Sequence, residues 1–182
     1  TGRPYVSLES ATLHPLQSLA DCITITEHRP AHRPRVVLAW APHVKALPQA
    51  VANSFAEWMC RMDVEFVITH PPGYELDPEY TGDAIVEYNM EKALEGADFV
   101  YVKNWSSYSD YGKILSQDAA WMLTERHLAG APDARIMHCL PVRRNVELSD
   151  EIADSPRSLI QEQAANRVFA AQAVLKLILP VL

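Results

Sequence analysis

Short apolar runs with β-strand character alternate with segments of helical periodicity, and this alternation limits the possible folds more than any other feature. Strands are expected at 36–40, 64–68, 84–87, 99–102 and 136–140. Helices are expected at 15–26, 48–62, 89–95, 119–128 and 162–179. Strands separated by helices pair in parallel, because the chain must cross the sheet between them. The sequence therefore predicts an α/β fold, a Rossmann-like three-layer arrangement of a parallel sheet with helices on both faces.

Composition excludes several classes of protein. The 182 residues carry a formal net charge of -7, and nonspecific nucleic-acid binding requires a cationic surface. No apolar run reaches the roughly 20 residues of a transmembrane helix, so we expect no membrane partner. The cysteines at Cys22, Cys60 and Cys139 form no C-x-x-C pair, which favours a reducing, cytoplasmic setting.

The sequence lacks the usual signatures of cofactor sites. Only six glycines are present, and none forms a G-x-G-x-x-G or P-loop motif. An α/β oxidoreductase is therefore disfavoured as an alternative function. The histidines, cysteines and acidic residues have no metal-ligand spacing. We expect neither a cofactor nor a metal.

Ligands of parallel α/β sheets bind beyond the carboxyl ends of the strands, which draws attention to three segments. The first is 41–45, which contains His43. The second is 103–107, which begins at Lys103, and the third is 139–145, which contains Arg143. Lysine and arginine at such positions suit a carboxylate or phosphate. The alternatives are a surface histidine, an exposed loop lysine and solvated arginines.

Three further features are candidates for chemistry. In His14-Pro15-Leu16-Gln17, the proline suits the start of a helix, so His14 and Gln17 share a face at an end that favours anions. Arg167 lies early in the last predicted helix, where the helix dipole disfavours a cation unless an anion is near. Cys139 follows His138, but adjacent residues of a strand point to opposite faces, so Cys-His nucleophilic catalysis is the weaker functional interpretation.

Taken together, His14-Pro15-Leu16-Gln17, His138-Cys139-Leu140-Pro141 and Arg167 resemble the carbamoyltransferases. The wider segments resemble the branch that carbamoylates N-acylated ornithines, and most closely N-succinylornithine. They are Glu9-Ser10-Ala11-Thr12, Trp40-Ala41-Pro42-His43, Lys103-Asn104-Trp105 and Val142-Arg143-Arg144-Asn145. The resemblance extends over essentially the whole chain. Plain ornithine enzymes typically carry a Ser-Met-Gly segment that is absent here.

The resemblance implies a role for each candidate residue. His14, Gln17, Cys139, Leu140 and Arg167 would contact carbamoyl phosphate, with His14, Cys139 and Arg167 at the reacting groups. The acylated ornithine would be bound by a second set of residues: Glu9, His43, Lys103 and Arg143. The reaction would need no cofactor, and the family assembles as a homotrimer.

The resemblance also implies a domain organisation. Residues 1–28 would end the carbamoyl-phosphate domain and form the interdomain helix, residues 29–160 would bind the amino acid, and residues 161–182 would pack back on the first domain. The family's Ser-x-Arg-Thr phosphate motif is absent, so we expect the chain to be part of a longer protein. An N-acetylornithine enzyme and a non-catalytic amino-acid-binding fragment remain open as alternatives.

Overall fold

A computed structural model of the chain describes residues 6–179 and contains a parallel five-stranded sheet. The strands are β1 (Arg35–Trp40), β2 (Glu65–Thr69), β3 (Ile85–Val86), β4 (Phe99–Lys103) and β5 (Arg135–Met137). Their order is β3-β2-β1-β4-β5, so the chain builds outward from β1 on one side and then on the other. The carboxyl ends of β1 and β4 therefore form the switch point at which such sheets bind ligands. The predicted α/β fold is confirmed.

Six α-helices accompany the sheet in the described residues. They are α1 (Pro15–Glu27), α2 (Ala50–Met59), α3 (Pro78–Thr81), α4 (Met90–Leu94), α5 (Asp150–Ala153) and α6 (Ile160–Ile178). The predicted helix starting at Pro15 agrees with α1 to within one residue at its end. Residues 1–5 and 180–182, which belong to the first and last predicted regions, lie outside the described residues.

Alternate strand residues supply two apolar cores, one on each face of the sheet. Val36 and Leu38 of β1 pack with α2 and with Ile25 of α1. Val37 and Ala39 of the same strand pack with α4, α5 and the start of α6. Because successive strand side chains point to opposite faces, β1 is buried on both sides, as its almost uninterrupted apolar sequence predicts.

The helix predicted at 119–128 is wrong. Two single-turn 3-10 helices, at Ala119–Trp121 and Glu125–Leu128, occupy this segment. Between them Leu123 is extended and pairs with Leu148, with its N–H donating to the carbonyl of Glu147 at 3.0 Å. This tertiary pairing replaces the helical hydrogen bonds.

The fifth strand is shorter than the predicted 136–140, because it ends at Met137. The N–H of His138 donates to Oε1 of Gln163 at 2.8 Å. Leu140 then adopts a left-handed φ of 49°, and the following Pro141 has no N–H to donate. The chain therefore leaves the sheet at His138 and turns toward the carboxyl edge of β4.

Helix α6 packs on α1 through a face that includes two side-chain amides. The buried residues of α6 are Ile160, Gln163, Asn166 and Ala170. Several of its apolar side chains are exposed: Val168, Phe169, Leu175 and Leu177, the last by 85%. No helix among residues 6–179 is long and apolar enough to cross a membrane.

Candidate functional site

A cavity of about 530 Å³ opens at the carboxyl ends of β1 and β4, between the start of α1 and the middle of α6. All the residues that the sequence singled out as site candidates line it. They are Glu9, His14, Gln17, His43, Lys103, Cys139, Leu140, Arg143 and Arg167. Fifteen residues line the cavity in total, so the predicted set makes up most of its wall.

His14 caps the start of α1 and contributes a neutral imidazole to the cavity. Its backbone N–H donates to Oγ of Ser54 at 2.7 Å, which anchors the first turn of α1 on α2. Burial lowers the pKa of His14, and the positive charges of Arg167 and Lys103 act in the same direction, against Glu9. Nδ1 is buried without a partner among the described residues, so Nε2 is the ring nitrogen available to a ligand.

Gln17 lies one turn along α1, and its amide orientation follows from its neighbour. Nε2 of Gln17 donates to Oδ1 of Asp21 at 2.8 Å, and a carboxylate oxygen can only accept in such a contact. The carbonyl oxygen of Gln17 contacts no donor among the described residues. The side chain therefore presents an acceptor to the cavity.

His43 is buried and joins two of the three loops at the carboxyl edge. Its Nε2 accepts from Nε of Arg143 at 3.1 Å, and its Nδ1 lies 3.0 Å from the carbonyl oxygen of Lys45. The backbone N–H of Lys45 also lies 3.0 Å from Nδ1, so the ring is held between Arg143 on one side and the Lys45 backbone on the other. The alternative of a solvated surface histidine is thereby wrong, and the exposed Arg143 is hydrogen-bonded to this buried partner.

Lys103 is the last residue of β4 and is only 8% exposed. Among residues 6–179 no carboxylate lies within ion-pair distance of its Nζ. The loop that follows is tied to the loop after β1, since Nδ2 of Asn104 donates to the carbonyl of Ala41 at 2.7 Å. The exposed-lysine alternative is therefore wrong, and Lys103 lines the cavity with an ammonium that no carboxylate of the described residues neutralises.

The loop after β5 is held by a buried His-Glu pair. Nε2 of His138 lies 3.2 Å from Oε1 of Glu147, and Nδ1 of His138 accepts from the N–H of Leu140 at 3.1 Å. Oε2 of Glu147 accepts from the N–H of Arg143 at 2.8 Å. The pair thus anchors both Leu140, whose left-handed backbone costs about 1–3 kcal/mol, and Arg143 at the cavity.

Cys139 is a thiol and not a thiolate nucleophile. Burial raises its pKa, although the charge of Lys103 opposes this effect. Both ring nitrogens of His138 are already engaged, so that histidine is not free to deprotonate the neighbouring thiol. The geometry therefore argues against Cys-His nucleophilic catalysis, which was the weaker functional interpretation of the sequence.

Arg167 reaches the cavity from α6, but not for the reason that the sequence suggested. It is the eighth residue of the helix, beyond the first turn in which a helix dipole is effective. Its approach to the cavity results from the packing of α6 on α1. The helix-dipole argument was therefore wrong, although Arg167 does line the cavity.

Lys45 is a cavity residue that the sequence reasoning missed. It raises the number of cationic side chains in the wall to four, against Glu9 as the one carboxylate among the described lining residues. Its position in the loop after β1 was the available signal. The apolar part of the wall, also missed, consists of Leu47, Pro48, Val51, Pro141 and Val142.

The described residues show no group of three or more metal-binding side chains. The fold and the cavity define a parallel α/β domain with a cationic cavity at its switch point.

The chain belongs to the aspartate/ornithine carbamoyltransferase family. The family description "Aspartate/ornithine carbamoyltransferase, Asp/Orn binding domain" matches residues 48–178.

Named relatives share this similarity over almost the whole chain. The N-succinylornithine carbamoyltransferase of Bacteroides fragilis (strain 638R) is 56% identical over 98% of this chain and 57% of that protein. The N-acetylornithine carbamoyltransferase of Xanthomonas axonopodis pv. citri (strain 306) is 32% identical over 94% of this chain and 56% of that protein. The chain thus spans little more than half the length of these relatives.

A solved structure agrees with the sequence relatives. The crystal structure of N-acetyl-L-ornithine transcarbamylase superposes with a TM-score of 0.90 at 32% sequence identity. The superposition covers 98% of this chain and 61% of that one.

Proposed function

We propose that the protein containing this chain transfers the carbamoyl group of carbamoyl phosphate to the side-chain amine of N-succinylornithine, a step of arginine biosynthesis. The observation that carries the proposal is the convergence of the predicted residues on one cationic cavity. The higher identity to the N-succinylornithine enzyme, 56% against 32% for the N-acetylornithine enzyme, supports the succinyl substrate.

In this mechanism the cavity holds the carbamoyl group with two donors and two acceptors. His14 and Arg167 donate to the carbamoyl oxygen, where negative charge develops in the tetrahedral transition state. The carbonyl oxygens of Gln17 and Leu140 accept from the carbamoyl NH2. Cys139 lies beside the attacking amine as a neutral wall residue. No covalent enzyme intermediate is needed, and much of the acceleration would come from holding the two reactants together.

The acylated ornithine would occupy the side of the cavity formed by Lys103, Arg143, His43 and Glu9. N-succinylornithine carries two carboxylates, which Lys103 and Arg143 would bind. Its α-nitrogen is an uncharged amide, so no acidic clamp for an ammonium is required there. His43 would act by aiming Arg143, and Glu9 would lie at the mouth of the cavity.

We also propose that residues 1–28 belong to the junction with a carbamoyl-phosphate domain, that residues 29–160 form the amino-acid domain, and that residues 161–182 pack back on the first domain. The exposed apolar side chains of α6 support this arrangement, since such a surface is normally covered. A homotrimeric assembly and a cytoplasmic location complete the proposal.

The decisive experiment is a carbamoyl-transfer assay of the full-length protein with N-succinylornithine and N-acetylornithine. Activity with the succinyl substrate is expected. Preference for the acetyl substrate would instead indicate the alternative function, an N-acetylornithine carbamoyltransferase. Absence of turnover with either substrate would favour a non-catalytic binding protein.

Arg167→Ala is expected to lower kcat roughly 100- to 1,000-fold, the usual effect of removing one donor to a developing oxyanion. The matched control is Arg61→Ala, because Arg61 is an exposed arginine in the turn after α2 and pairs with Glu57 of that helix. Wild-type turnover by the Arg167 variant would contradict its role.

A further inference from the structure

Asp21 is a fully buried carboxyl group that the mechanism above does not use. It lies on α1, one turn beyond Gln17, and faces α6 and β4. Oδ1 accepts from Nε2 of Gln17 at 2.8 Å and from Nε2 of Gln163 at 2.7 Å. Burial raises the pKa of Asp21 to about 7, although the hydrogen bonds from both amides oppose this.

A buried carboxyl at this position is expensive if its purpose is only to hold two helices together. Replacing such a polar group by a well-packed apolar side chain is commonly neutral or stabilising. The α1–α6 contact has another buried polar pair, since Nδ2 of Asn166 donates to Oγ1 of Thr24 at 3.0 Å. Asp21 therefore calls for an explanation other than helix packing.

The contacts of Asp21 determine which atom Gln17 offers to the cavity. A glutamine amide presents NH2 on one side and oxygen on the other, and rotation by half a turn exchanges them. With Oδ1 of Asp21 as a fixed acceptor, the NH2 group of Gln17 is turned toward the protein interior. Oε1 of Gln163 accepts from the N–H of His138, and Oδ1 of Asp21 is the acceptor that the Gln17 amide contacts.

We propose that Asp21 is a positioning residue that locks the amide of Gln17 with its oxygen toward the cavity, so that the site selects a ligand group bearing N–H at this point. The inference rests on the proposed carbamoyl transfer. It adds that Asp21, which does not line the cavity itself, enables the site to distinguish an NH2 group from a group of the same size without N–H. Either protonation state of Asp21 preserves the lock, since a proton on Oδ2 leaves Oδ1 as the acceptor.

The test compares carbamoyl phosphate with acetyl phosphate, which carries a methyl group in place of the NH2. In the full-length protein, the ratio of the inhibition constant of acetyl phosphate to the KM of carbamoyl phosphate measures the selection. Asp21→Leu and Asp21→Ala remove the acceptor and are expected to lower this ratio roughly tenfold, the effect of losing one hydrogen bond. Asp21→Asn retains an acceptor oxygen and is expected to restore most of the ratio.

A double-mutant cycle with Gln17→Leu separates positioning from general damage. If Asp21 acts through Gln17, Asp21→Leu has no further effect on the ratio once Gln17 is replaced. Thr24→Val is the matched control, because it removes a buried hydrogen bond of the same helix pair without touching Gln17. It is expected to lower stability and leave the ratio unchanged.

A measurement on the wild-type protein does not depend on any variant folding. The side-chain NH2 of Gln17, followed by NMR after selective labelling, is expected to exchange slowly with solvent. Rapid exchange, or an unchanged ratio in folded Asp21→Leu or Asp21→Ala, would overturn the inference. Absence of carbamoyl transfer by the wild-type protein would instead remove the proposed function, so the two failures are distinguishable.

Discussion

The amino-terminal and carboxyl-terminal ends of the parallel strands form two edges of the sheet, and both carry cationic side chains. The two edges differ in how these cations are paired. At the amino ends of the strands, arginines are paired with carboxylates: Arg35 with Glu65, and Arg29 with Asp63 at 2.9 Å. At the carboxyl ends, Lys103 and Arg167 have no carboxylate partner among residues 6–179. One edge is neutralised by the chain itself, while the other is left cationic.

This difference separates charges that serve the fold from charges that serve a ligand. Exposed ion pairs such as those of the amino edge contribute about 0–1 kcal/mol each. Lys103 and Arg167 lack such a partner, and an anion bound in the cavity would supply it. The following predictions test this contrast in order of expected effect.

Lys103→Met is expected to have the largest effect and to move binding and stability in opposite directions. Loss of a charged hydrogen bond to the acylated ornithine should raise its KM roughly 10- to 100-fold, with a smaller change in kcat. Removing the unpaired ammonium should raise the free energy of unfolding by about 1 kcal/mol. Steady-state kinetics and denaturant unfolding give the two numbers, and an unchanged KM would argue against the clamp.

Asp21→Asn should change the pH dependence of stability. Because the pKa of Asp21 is raised to about 7, the folded state binds a proton that the unfolded state has lost between about pH 4 and pH 7. The free energy of unfolding of the wild type should therefore fall by about 1.4 kcal/mol for each pH unit of increase in this window, because of this group. The variant lacks this contribution. Tyr101 and Arg167, which face the carboxyl, are present in both proteins.

Denaturant unfolding of both proteins at pH 5 and pH 8 measures this effect. Relative to the wild type, the free energy of unfolding of Asp21→Asn should be higher at pH 8 than at pH 5. Parallel stability curves would contradict the buried, protonatable state of Asp21.

Arg35→Met is expected to have the smallest effect. It breaks the pair with Glu65 at the amino edge, so the free energy of unfolding should fall by no more than about 1 kcal/mol. The KM of either substrate should stay at the wild-type value, because this edge lies across the sheet from the cavity. A change in KM comparable to that of Lys103→Met would erase the functional contrast between the two edges.

Local pattern was sufficient to predict the sheet and the position of the site. The apolar run at 99–102 lies within β4, and Pro15 marks the first residue of α1. Because parallel strands bring their carboxyl ends to one edge, His43, Lys103 and Arg143 were expected together and are found together. The assignment of particular roles to these residues came from the resemblance and stays a proposal.

Several features could not be predicted, because they depend on contacts between distant segments. Residues 119–128 are helical by periodicity, yet Leu123 is drawn into pairing with Leu148. The contact of α6 with α1 is made partly by Gln163 and Asn166, polar residues whose burial no local pattern indicates. No pattern in the sequence indicates that Asp21 meets Gln163, which lies 142 residues further along the chain.

The sequence by itself determined the order of strands and helices, the parallel sheet and the residue types at its carboxyl edge, because these follow from short-range periodicity and from the geometry of crossover connections. Only the tertiary structure decided which cations stay unpaired, which way the Gln17 amide is turned and how Arg167 reaches the cavity. Those properties depend on burial and on hydrogen bonds between remote segments, and burial changes the energy of a charge or an amide far more than its position in the sequence does.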